Sequence, residues 1–93
     1  MLLVPVGPTM FETLNDAIDV LSVFTASGVE PIRFRWRGRV YRIVKVSGRW
    51  HRREGTGLLH HFSVECAGGD SFELCYDPRP PRWTLTRAWV GAA

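Results

Sequence analysis

At 93 residues the chain is long enough for one domain, 1–93, with one modest core. With 45% hydrophobic and 23% charged residues it is too apolar for a disordered tail, and two cysteines are too few for a disulfide scaffold. Twelve basic residues against nine acidic give a formal net charge of +3, unevenly placed. Residues 1–29 hold Glu12, Asp16 and Asp19 and no Lys or Arg, whereas every basic residue lies between Arg33 and Arg87.

The first ten residues, MLLVPVGPTM, carry no basic residue, and Pro5 and Pro8 interrupt them, so they make a poor secretory leader. The apolar stretch from Ala17 to Ala26 contains Asp19, Ser22 and Thr25. It falls short of the roughly 18–20 uninterrupted apolar residues of a membrane span. The expected protein is cytoplasmic, not membrane-bound, with reduced thiols.

Residues 9–26 read as an amphipathic helix. Thr9 and Glu12 have the spacing of a capping box, in which each side chain satisfies the other's free backbone donor. Met10, Leu14, Ala17, Ile18, Leu21 and Phe24 recur at intervals of three and four, and Gly28 and Pro31 supply a stop.

From Ile32 the period changes to two. Ile32, Phe34 and Trp36 alternate with Arg33, Arg35 and Arg37. A two-residue turn at Arg37-Gly38 would pair Trp36 with Arg39, Phe34 with Tyr41 and Ile32 with Ile43. Arg33, Arg35, Val40, Arg42 and Val44 then share the opposite face. A bend at Ser47-Gly48 divides the long second strand.

A second hairpin is expected from Leu59–Ala67 and Ser71–Asp77 through Gly68-Gly69-Asp70. It would place Glu65 opposite Glu73, Ser63 opposite Cys75 and His61 opposite Asp77. Pro78–Pro81 is a stiff connector that cannot be a central strand. A last strand, Trp83–Val90, would carry Trp83, Leu85 and Trp89 on one side. The expected fold is mainly β (α+β). It consists of an N-terminal helix over 9–26 and a small five-stranded antiparallel barrel or curved sheet over 32–90, SH3-like or OB-like.

The aromatics Phe34, Trp36, Tyr41, Phe62, Phe72, Tyr76 and Trp83 share the inward phase and read as core. Trp36 and Trp89 stand near strand ends beside arginines, where they could instead stack on a ligand. Nine basic residues and no acid lie between 33 and 53. Arg33, Arg35 and Arg42 crowd one face, where opposed like charges cost up to about 1 kcal/mol. Glu65 and Glu73 on the neighbouring hairpin would neutralise them as a surface lattice. A nucleic-acid backbone is the other answer, held by Arg33, Arg35, Arg37, Arg39, Arg42, Lys45 and Trp36. Eleven of the twelve basic residues are Arg, whose planar fork suits phosphate, though a GC-rich genome has the same signature.

No metal or other cofactor is expected. His51, His60, His61, Cys66 and Cys75 show no ligand spacing, and His60 and His61 point to opposite faces of a strand, as do Cys66 and Cys75. That alternation also argues against a Cys–His catalytic pair. His61 opposite Asp77 would orient an imidazole, but no P-loop, GxSxG elbow or HExxH accompanies it. The chain is therefore expected not to be an enzyme. A protein partner, or a second copy, docked through the 9–26 helix is the alternative to nucleic acid.

The run R-F-R-W-R-G-R-V-Y-R-I-V-K-V, followed by Trp50, F-E-L-C-Y-D and R-W-T-L-T-R-A-W, resembles a small bacterial family of uncharacterised single-domain proteins. That family carries F-x-W-R-G-R-x-Y, F-E-L-Y-x-D and W-x-L-x-R signatures. The resemblance covers roughly 32–90, through Phe34, Trp36, Arg37, Gly38, Arg39, Tyr41, Trp50, Phe72, Glu73, Leu74, Asp77, Trp83, Leu85 and Arg87. It departs at Cys75, where the family more often has an aromatic residue, and the 1–29 segment is not part of it. Some members are encoded near error-prone DNA polymerases, which implies a DNA-repair setting by association. The family supplies no catalytic residues.

Overall fold

The computed structural model describes residues 9–91, with side chains from 13 to 90. The stretch with Pro5 and Pro8, and the Met10 and Glu12 side chains, lie outside the described residues. Six strands follow one another: β1 (Thr9–Thr25), β2 (Gly28–Trp36), β3 (Arg39–Glu54), β4 (Gly57–Cys66), β5 (Ser71–Pro78) and β6 (Pro81–Gly91). Each pairs antiparallel with the next, and β1 pairs with β6 to close a barrel.

The expected N-terminal helix is a strand, which raises the strand count from five to six and makes the fold all-β. From Thr13 to Ser22 exposure alternates residue by residue, with Leu14, Asp16, Ile18, Val20 and Ser22 on the inner side. Within the three-four stripe, Leu14 and Ile18 pack against the core. Ala17, Leu21 and Phe24 are exposed, Phe24 at 70%. The helical pattern lost to pairing on both edges: residues 9–18 bond to β6 and 19–25 to β2. Thr13, Ile18, Val20, Val23 and Thr25, all β-branched, suit that pleated surface. Thr9 sits opposite Gly91 and begins a strand, so the capping box is not formed.

The β2–β3 hairpin has the register expected from sequence, with Trp36 opposite Arg39 and Phe34 opposite Tyr41. Arg37 and Gly38 both have positive φ, 52° and 76°, as a type I′ turn requires. Bulges then reset the alternation. Ile32 is an extra residue in β2 and becomes exposed, while Pro31 is fully buried in its stead. Val44 and Ser47 are extra in β3, the second at the expected bend. Thr86 is extra in β6 relative to β5, so Ala88 is fully buried and Trp89 leaves the phase of Trp83 and Leu85.

The β4–β5 register is displaced by two residues from expectation. Gly68 and Gly69 both take positive φ, and the loop spans 67–69, closed by the Cys66 amide donating to the Asp70 carbonyl at 2.8 Å. Its centre therefore falls one residue early. His61 faces Cys75, not Asp77, and Glu73 faces Ser63, not Glu65. Each face keeps its expected residues because a shift of two preserves the pleat.

The core is built from Phe34, Trp36, Phe62, Val64, Phe72, Leu74, Trp83 and Leu85, with Tyr41 and Tyr76 packed against it. All seven aromatics expected inside are there. Edge-to-face contacts of Phe72 with Phe34, Trp36 and Tyr41, at 5.1, 5.8 and 4.8 Å, make it the hub.

Candidate nucleic-acid interface

β1 and β3 each serve two neighbours, and that bending creates a three-stranded outer face from the second half of β1, β2 and the start of β3. Cross-strand rows on this face read Leu21–Arg33–Arg42 and Asp19–Arg35–Val40. All six side chains are exposed. A shallow groove of about 530 Å³ runs between Asp19, Leu21, Arg33, Arg35 and Val40.

The lattice expected to neutralise these arginines is not formed. Glu65 lies opposite Lys45, and Glu73 is 3.5 Å from Arg87 and accepts from the Thr86 hydroxyl at 3.3 Å. Among the described residues no carboxylate lies within 4 Å of Arg33, Arg35 or Arg42. The acidic N-terminal segment does reach the hairpin, as a strand: Asp19 is the cross-strand neighbour of Arg35.

The structure therefore brings Arg33, Arg35 and Arg42 onto one surface. Arg37 and Arg39 stand apart at the turn, lying over the rings of Trp36 and Tyr41 at 4.4 and 5.3 Å. Lys45 follows the Val44 bulge, beside Glu65. Trp36, read as core but also offered as a stacking residue for nucleic acid, is 6% exposed, and its indole N–H donates to Asp16 Oδ2 at 2.8 Å. The same carboxylate oxygen is 3.9 Å from Arg37. Trp36 is an anchored core residue and presents no stacking face to solvent.

Sequence reasoning missed three further groupings. Arg49 donates to both carboxylate oxygens of Glu30, joining β3 to β2 where the two strands have separated. His51 and His60 are cross-strand neighbours, a pairing that their spacing in sequence does not show. Cys75 Sγ lies 3.9 Å from His61 Nε2, a contact that the displaced β4–β5 register creates. His61 is 7% exposed, stacks on Trp50 at 5.3 Å, and has no hydrogen-bond partner for Nδ1 among the described residues.

Burial pushes the Cys75 thiol up and the His61 imidazole down, the latter helped by Arg52. The pair is thiol and neutral imidazole at pH 7, without the thiolate character of an activated cysteine. Cys66 is buried on the other face, and burial raises its pKa to about 12. The Arg79 amide, which donates to Asp77 Oδ1 at 2.9 Å, holds the Asp77 carboxyl below the usual range. No described helix is long and apolar enough to cross a membrane. Comparison with protein-family models, curated proteins and solved structures returned no match.

Proposed function

We infer that the barrel is a non-enzymatic module that binds nucleic acid through the outer face of β2 and the start of β3. One observation carries this reading: Arg33, Arg35 and Arg42 share an exposed surface, and among the described residues no carboxylate lies within 4 Å of them. Three guanidiniums held this close repel one another, and a phosphate backbone relieves that repulsion while releasing its own counterions. Arg37 and Arg39 extend the positive surface around the turn. The resemblance to a family some of whose members are encoded near error-prone DNA polymerases supports repair as the setting, by association.

Fluorescence anisotropy with labelled single- and double-stranded DNA and RNA at two salt concentrations tests the reading. Binding at low salt that weakens steeply as salt rises supports it. Absence of binding at low salt, or indifference to salt, refutes it.

The apolar residues among the arginines favour a second reading. Leu21, Val40 and Val44 are 51%, 60% and 62% exposed. A protein partner offering acidic and apolar side chains would match that surface. No N-terminal amphipathic helix is present for docking, because residues 9–25 form a strand paired on both edges.

A further inference from the structure

We propose that His51 and His60 form a two-imidazole binding site for a divalent transition-metal ion at the edge of the barrel mouth. They are directly opposite on β3 and β4, with ring centroids 4.8 Å apart and planes at 85°. A first-row ion binds imidazole nitrogen at about 2.0–2.1 Å, which places each ring centroid about 3.2 Å from the metal. At nitrogen–metal–nitrogen angles of roughly 90–110°, two rings on one ion are then about 4.5–5.2 Å apart, centroid to centroid. The observed centroid separation of 4.8 Å lies inside that interval.

The surroundings suit a metal. His51 is exposed and His60 half-buried, so the pair is accessible to an ion. The two residues hold each other as unfavourable neighbours once protonated, and a shared ion removes that cost. Tyr76, 6.0 Å from His60 between ring centroids, packs on its far side. Arg49, two residues before His51, is engaged by Glu30. Among the described residues no group of three or more His, Cys, Asp or Glu converges, so the protein supplies two ligands. The other coordination positions are left for water or an anionic ligand. The imidazole pair selects Cu²⁺, Zn²⁺ or Ni²⁺ over Mg²⁺ or Ca²⁺.

The site is independent of the arginine face, so either can fail alone. Isothermal titration of the full chain with ZnCl₂, then NiCl₂, tests it, alongside His51→Ala and His60→Ala, with far-UV circular dichroism to confirm that both variants fold. The expected result is one ion per chain, with affinity reduced tenfold or more by either change and no further by both. Electron paramagnetic resonance of the Cu²⁺ form is expected to show two coordinated imidazole nitrogens. Absence of one-to-one binding up to 1 mM metal, unaltered affinity in either variant, or a Cu²⁺ signal with fewer than two imidazoles overturns the proposal.

Discussion

Asp16 is the residue whose removal tests the barrel most sharply, because it has a place only if residues 9–25 form a strand. Its carboxylate accepts the Trp36 indole N–H at 2.8 Å while lying 3.9 Å from Arg37. A hydrogen bond to a charged acceptor contributes about 1.5–3 kcal/mol, and this one is part-buried, its donor on a buried ring and its acceptor partly open to water, which sets it in the lower half of that range. The Arg37 contact is long, with side chains 59% and 39% exposed, and adds about 0–1 kcal/mol. Asp16→Ala is therefore expected to cost about 2 kcal/mol, lowering Tm by about 8–16 °C for a domain of this size. Asp16→Asn keeps an acceptor and is expected to lose less than half as much. Thermal melts followed by circular dichroism and tryptophan fluorescence read both, and Trp36→Phe completes a double-mutant cycle with coupling of about 1–2 kcal/mol. An Asp16→Ala variant melting within about 2 °C of the unaltered protein, or showing no coupling to Trp36, would refute the strand.

Three further outcomes follow from burial and charge. Phe72→Ala removes the aromatic hub and should cost about 3–5 kcal/mol in urea unfolding, whereas Phe24→Ala, at 70% exposure, should cost less than about 1 kcal/mol. A buried helix stripe would reverse that expectation for Phe24. His61 and His60 both have pKa values depressed in the fold, so the unfolded chain binds protons first as pH falls below about 6.5. Stability should be flat above that pH and decline below it, and His61→Phe should flatten the decline in acid melts. For Cys66 the sign is opposite in direction of pH: a thiol raised to about 12 keeps its contribution below pH 9 and loses it as pH rises from there. Native-state titration with a thiol reagent at pH 8 should accordingly leave Cys66 unmodified.

Local chemistry was legible wherever one strand pair decides the outcome. The β2–β3 hairpin reads directly, because Arg37-Gly38 marks the turn and Phe34, Trp36 and Tyr41 mark the inner phase. The inward aromatics followed from the same alternation. β1 is ambiguous in sequence because Leu14 and Ile18 satisfy both a helical and a strand period, and only the unpaired edges of β2 and β6 break the tie. Those edges are contacts distant in sequence, invisible to a local pattern. Ile32, Val44, Ser47 and Thr86 mislead for a related reason: a bulge answers a barrel's need to bend, not the preference of the residue that occupies it.

The arginine face was legible as a set and not as a circuit. Phase alone places Arg33, Arg35 and Arg42 together. It cannot say that Glu73 belongs to Arg87 and Thr86, since a one-residue change in the centre of the 67–69 loop moves every β4–β5 partner by two. The same displacement brings His61 to Cys75. The His51–His60 pair required the β3–β4 register, which two bulges in β3 put beyond sequence reading.

The central claim rests on those three arginines, and the salt dependence of binding tests it most directly. Each phosphate neutralised on duplex DNA contributes about −0.9 to the slope of log K against log salt concentration. Replacing Arg33, Arg35 and Arg42 together by Gln should make the slope measured on a duplex oligonucleotide shallower by about 2.7, and weaken binding at low salt, with far-UV circular dichroism unchanged. A triple variant that folds and keeps the slope of the unaltered protein would contradict the account.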